Sequence, residues 1–237
     1  MDIFKENRKL FRPREMRRIA ASSVLIVGMG GLGGHVANGL VRLGVGRLVF
    51  VDDDVFETKN LNRQLFADRE TIGQNKARTV RDALARVNPD AQLEVCECRI
   101  EELPASVLQT VDLIVDAVDN IPTKRYLETL GQRHEKPLLH AAIGGWLGQL
   151  GVILPGRPLL DTVYGNLEEG VEGCDGNPTF TPAVIGSLMV VEAAKLLAGQ
   201  ESVLADRLLY VDLYRQAYDW LEEFTVDADG MSENKEE

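Results

Sequence analysis

Four side chains between residues 60 and 76 could act together on an anion. The stretch reads NLNRQLFADRETIGQNK and follows RLVFVDDD, an apolar run ending in acids, where a strand should pass through a short loop into a helix. Instead the chain inserts Asn60, Arg63 and Gln64, with a Leu61 that reads as buried, and reaches Lys76 well downstream. An Arg and a Lys converging beyond the end of a strand suit a triphosphate, on which charge grows as a bond breaks, better than a neutral nicotinamide. Asp119, in DAVDN at 116–120, follows another apolar run and should reach the same crevice. An acid among phosphate-binding cations points to magnesium. Taken singly, Arg63 and Lys76 could be solvated surface charges and Asp119 a helix cap.

A glycine loop precedes these residues. GMGGLG at 28–33 places Gly28, Gly30 and Gly33 in GxGxxG spacing, after the apolar run SSVLIVG and before HVANGLVRLG. Such glycines allow a tight turn and close approach of backbone to phosphate, and the helix N-terminus offers unpaired N–H groups. Asp52 ends the next apolar run, where an acid receives a ribose hydroxyl. NAD, FAD and ATP all satisfy this pattern, so an NAD-dependent oxidoreductase is the competing reading.

The elements that must position these groups alternate between strand and helix. Leu32, Val36, Leu40 and Leu43 share one helical face after the glycine loop. GRLVFVDD, AQLEVCECRI, VDLIVDAVD, PLLHAAI and GQLGVILPG read as strands; NKARTVRDALARVNP and TKRYLETLGQRHEK read as helices, the first stopped at Asn88-Pro89. This predicts an α/β, Rossmann-like fold, a largely parallel sheet with helices on both faces. Residues 155–181 lack periodicity and read as a crossover loop. Thr181-Pro182 starts a helix ending at Gly199, and RLLYVDLYRQAYDWLEEFTV supplies a C-terminal antiparallel strand extension. The expected organisation is a basic helical segment at 1–21, one nucleotide-binding domain at 22–225 and a disordered acidic tail at 226–237.

Composition narrows the function classes. The 237 residues carry 26 basic and 37 acidic side chains, a net charge of -11, which argues against nonspecific binding to nucleic acid or anionic membrane. The N-terminus lacks an uninterrupted apolar core and no run reads as long enough to span a bilayer, so a cytoplasmic protein is expected. Three unevenly spaced cysteines form no disulfide framework and no Cys-x-x-Cys zinc pair.

GMGGLG, VDDDVFETKNLNRQ, IGQNKA, VNP, DAVDN and IGSLMVVEAAKLL resemble the ThiF/MoeB/HesA family, bacterial relatives of ubiquitin-activating enzymes, over residues 22 to 213. The resemblance implies MgATP-dependent adenylation of the C-terminal glycine of a small ubiquitin-like sulfur carrier ending in Gly-Gly, with release of pyrophosphate. It places Gly30 and Gly31 under the phosphates and Asp52 on the ribose. It puts Asn60, Arg63 and Lys76 on the phosphates, Gln64 in support, and Asp119 on the metal. It also implies a homodimer and a sulfur donor protein as a further partner. A member activating a tRNA-attached carboxylate is an alternative that the acidic balance disfavours.

The chain departs from that family in places. The two zinc-binding Cys-x-x-Cys pairs of many members are missing, so no zinc is expected. Members place an N-terminal arginine on the partner subunit's ATP; Arg8, Arg12 or Arg14 could serve, although none has the family's context. Cys174 falls where some members form a covalent link to the carrier. Cys96 and Cys98 alternate on a strand and read as packing residues, His140 as a hydrogen-bonded structural histidine, and His35 and His134 as helix-surface residues.

Overall fold

Apolar runs without alternation become strands covered on both sides. In the computed structural model, which describes residues 3–167 and 176–221, β1 (Ser23–Val27) is buried along its whole length. It pairs in parallel with β2 (Arg47–Val51) and β4 (Leu113–Asp116). Beyond these lie β3 (Gln92–Cys96) and β5 (Leu138–Gly144), also parallel. The chain then turns back through β6 (Leu147–Ile153), β7 (Leu208–Asp212) and β8 (Ala217–Leu221), each antiparallel to its neighbour. The eight strands run in the order β3-β2-β1-β4-β5-β6-β7-β8. The predicted fold class, parallel half and antiparallel extension included, is the one observed.

Side chains alternate across the sheet and feed two cores. Val24 and Ile26 face α2 (Pro13–Ala21), α3 (Gly31–Leu43), α4 (Lys76–Ala85) and α8 (Phe180–Ala198), whose Ile19, Leu40, Val80 and Met189 are buried with them. Leu25 and Val27 face α5 (Ala105–Gln109), α6 (Ile121–Arg133) and α7 (Leu160–Tyr164) through Leu108, Leu127 and Leu160. A short α1 (Asn7–Leu10) precedes them. Arg8, Arg12 and Arg14 are exposed.

Three expectations are corrected here. The irregular stretch 155–181 contains α7, and α8 starts at Phe180, ahead of Thr181-Pro182. Among the described residues one segment is long and apolar enough to cross a membrane: α8, with 19 residues and a mean hydropathy of 1.5. Its apolarity is used in packing, since it lies on α3 and on β5 and β6 with Ile185, Met189 and Ala193 fully buried. His35 sits in that helix contact, against Gly186 of α8, and is half-buried instead of lying on the surface. Burial lowers its pKa.

Candidate functional site

The order of strands reverses between β1 and β4, and an open crevice at their carboxyl ends is the geometric result. A cleft of about 270 Å³ lies there, and Gly28, Gly30, Gly31, Asp52, Arg63, Gln64, Lys76 and Asp119 all line it. The glycine loop fits because two of its members admit no side chain. Gly28 has φ 90°, and a Cβ there would fall 2.6 Å from the Ala117 carbonyl oxygen. At Gly33 a Cβ would lie 1.8 Å from the Gly28 oxygen, so this residue serves the turn and is not among those lining the cleft. Helix α3 starts at Gly31 with no side-chain cap, leaving its first N–H groups at the cleft. Asp52 braces the loop. Its carboxylate accepts from the N–H of Met29 at 2.6 Å and of Asp54 at 2.8 Å. Burial raises its pKa, against the opposing pull of those N–H groups and Lys76.

The polar segment from 52 to 76 is a closed excursion pinned at its neck. Val55 and Asn75 form an antiparallel bridge, the Lys76 N–H donates to the Asp54 carbonyl at 2.9 Å, and Phe56 anchors the turn in the main core. Asn75 caps α4 by accepting from Arg78 N at 3.0 Å while its amide donates to the Asp52 carbonyl at 3.1 Å. Lys76 thus enters the cleft wall from the first turn of α4, only 8% exposed, with Nζ 2.8 Å from Asp54 Oδ2. The Arg63 guanidinium is held by neutral oxygens, the Lys59 carbonyl at 2.9 Å and Asn62 Oδ1 at 3.0 Å. Asn62 also donates to the Asn177 carbonyl at 2.9 Å, tying the excursion to the segment before α8. Gln64 stands against Gly30, and its Oε1 is buried with no hydrogen-bond partner among the described residues. An orphaned polar atom beside an anion loop costs roughly 1–3 kcal/mol unless a ligand or water meets it.

Two expectations about this segment change. Asn60 is buried and does not line the cleft; its Oδ1 accepts from the Glu57 N–H at 2.9 Å, so it shapes the turn that presents Arg63. Leu61 is 38% exposed, because that turn points it outward.

Asp119 sits three residues beyond the end of β4 and lines both this cleft and a neighbouring groove of about 120 Å³. Ile143, Gly144, Leu147, Gly148, Gln149 and Tyr210 form much of that groove. Asp119 lines the cleft together with Arg63 and Lys76, and its carboxylate is the hard oxygen donor that would hold a magnesium ion there. Cys98, Arg99, Ile100 and Glu101, after β3, also line the cleft, a placement not anticipated from the sequence. Cys96 and Cys98 both pack on the second core, but β3 ends at Cys96, so Cys98 lies beyond the strand and not in alternation on it; burial raises both thiol pKa values. His140 is fully buried and hydrogen-bonded. Asp116, Lys124, Gln149, Tyr164 and Asn177 carried no sequence signal. Cys174 and residues 226–237 lie outside the described residues.

Known proteins share this sequence pattern and fold. The chain is 34% identical over 205 residues to the SAMP-activating enzyme E1 of Haloferax volcanii, covering 84% of this chain and 76% of that protein. It is 34% identical over 223 residues to the sulfur carrier protein adenylyltransferase of Thermus thermophilus, covering 87% and 80%. The fold matches that of E. coli MccB, solved with ATP, at a TM-score of 0.77 and 16% identity, covering 94% of this chain and 72% of MccB. The model of the ThiF family matches residues 4–232, and the chain belongs to that family.

Proposed function

We propose that this protein adenylates the C-terminal glycine of a ubiquitin-like sulfur carrier, using MgATP and releasing pyrophosphate. One observation carries the reading: Gly30, Gly31, Asp52, Arg63, Lys76 and Asp119 share one cleft, which sets two cations and a helix N-terminus around a single anion site. A carboxylate is already a nucleophile, so its oxygen can attack the α-phosphorus as the bond to pyrophosphate breaks, with no proton to remove. Such a reaction needs alignment and charge neutralisation. Arg63 and Lys76 supply fixed positive charge, and the N-terminus of α3 supplies N–H groups. Magnesium, held by Asp119 and the phosphates, would add Lewis-acid neutralisation of the leaving group. The groove beside Asp119 is the path by which the carrier's tail reaches the α-phosphate. Relatives named as a sulfur carrier protein adenylyltransferase and an activating enzyme support the substrate class.

The test is ATP–pyrophosphate exchange with a small ubiquitin-like protein ending in Gly-Gly. Wild type should exchange only when carrier is present, and Lys76→Ala and Arg63→Ala should each lose about 10²-fold while remaining folded. Exchange within a few fold of wild type in both variants would sink the assignment, and tight NADH binding without ATP binding would replace it with the oxidoreductase.

A further inference from the structure

A chain of buried polar groups runs behind the groove, and the adenylation step as derived uses none of it. Asp116 and His140 are partners in the parallel register of β4 and β5, both fully buried, with Asp116 Oδ2 2.6 Å from His140 Nδ1. The carboxylate accepts there, so Nδ1 carries the proton and Nε2 is left as an acceptor. Lys124, equally buried, lies 3.4 Å from Asp116 Oδ1 and donates to the carbonyls of Val118 at 2.6 Å and Ala141 at 2.7 Å. It balances the carboxylate and leaves the imidazole neutral.

From His140 the chain leads outward. Its Nε2 stands 3.2 Å from the Tyr164 hydroxyl, which donates to it, and Gln149 Nε2 donates to the same hydroxyl oxygen at 2.7 Å. The buried carboxylate fixes His140 Nε2 as an acceptor, which takes the Tyr164 hydroxyl proton at 3.2 Å and has the Gln149 amide nitrogen at 3.4 Å. The amide of Gln149 is therefore set in one orientation, and both Gln149 and Tyr164 line the groove. Ionisable groups this deep cost stability relative to packed apolar side chains, but a satisfied network fixes its outermost members rigidly.

We propose that Gln149 and Tyr164, oriented by His140 and Asp116, are positioning residues that hold the backbone of the peptide whose carboxylate is activated. This rests on the adenylation reading. The groove opens onto the nucleotide cleft, sharing Asp119 and Ile143 with it. An extended peptide entering it must place its own N–H and C=O groups among Ile143, Leu147 and two glycines, which offer no side-chain partner. Gln149 and Tyr164 line the same groove, and with its amide nitrogen engaged by the tyrosine, Gln149 turns its amide oxygen to that role.

Tyr164→Phe, Gln149→Ala and His140→Asn test this through carrier KM and kcat in exchange, ATP affinity by calorimetry, and melting. Each variant should raise carrier KM about tenfold, the scale of a lost hydrogen bond, with kcat and ATP affinity within about twofold. If His140 acts through Tyr164, the double variant should be no worse than Tyr164→Phe alone. Should His140→Asn fail to fold, Tyr164→Phe, which removes one hydroxyl, is sufficient by itself. Unchanged KM would overturn the proposal while leaving the adenylation reading intact. A fall in kcat at constant KM would overturn it in favour of a proton relay. A wild type that binds ATP but never exchanges with carrier would defeat both readings.

Discussion

Lys76 Nζ and Asp54 Oδ2 lie 2.8 Å apart across the neck of the excursion between β2 and α4, the lysine almost buried and the aspartate largely exposed. A bound triphosphate would compete with Asp54 for this cation. The pair is solvated on one side, so its strength is about 1 kcal/mol. Asp54→Asn should therefore leave ATP affinity unchanged or tighten it by up to roughly fivefold. Calorimetric titration with ATP checks this; affinity weakened tenfold would instead make Asp54 part of the nucleotide or metal site.

Asp52 joins the nucleotide site to the glycine loop, since the carboxylate expected to take the ribose also accepts from Met29 N–H. Replacing it should do two things. Asp52→Ala should weaken ATP binding by about 1.5–3 kcal/mol, the range for a hydrogen bond to a charged group, and lower stability as the loop loses its brace. Asp52→Asn keeps one acceptor and should retain more stability than affinity. Urea melts alongside ATP titrations separate the two effects; equal losses in both variants would show that Asp52 serves the loop alone.

The parallel strands and the cations were legible in the sequence for physical reasons. Strands covered on both faces must be apolar throughout, so SVLIV and LIVD announce themselves, and the positions of Arg63 and Lys76 follow from where β2 ends. Asn60 suits a phosphate and a turn equally well by type, and only the fold shows its oxygen facing Glu57 N–H. His140, Asp116 and Lys124 come from three elements, and their contact exists only once β4, β5 and α6 have assembled. Helix α7 is five residues long, too short for periodicity to register. His35 looked like surface because nothing in its own helix indicates that α8 crosses there.

Cys174 stands on the sequence alone, among Glu168, Glu169, Glu172 and Asp175, and negative charge beside a thiol opposes thiolate formation. Adenylation uses the carrier's own carboxylate as nucleophile. Cys174→Ser should thus keep exchange close to wild type, with any loss confined to later sulfur transfer. Non-reducing mass spectrometry with carrier and ATP reads the outcome: an adduct on wild type that is absent from the variant supports a covalent role. Normal transfer without an adduct assigns the thiol none.

The buried histidine should make stability depend on pH. Burial holds the His140 pKa below its ordinary 6.5, outweighing the attraction of Asp116. In the window from 6.5 down to the folded value, the unfolded chain binds a proton that the folded chain does not. Stability is then fully present above pH 6.5 and falls as the pH drops through that window, by at most about 1.4 kcal/mol per pH unit for one proton. Asp116 extends the loss to more acid conditions: burial pushes its pKa up, but Lys124 and His140 outweigh this and hold it below 3.8. Its contribution is present above 3.8 and disappears as the pH falls through its folded value. His35, also lowered by burial, acts in the same direction as His140 but stays in place in a His140→Asn variant. Urea midpoints at several pH values between 7.5 and 5 should therefore fall less steeply for His140→Asn than for wild type. Identical slopes would mean that the imidazole is not held neutral by burial, and would remove the basis for treating its Nε2 as the acceptor that orients Tyr164.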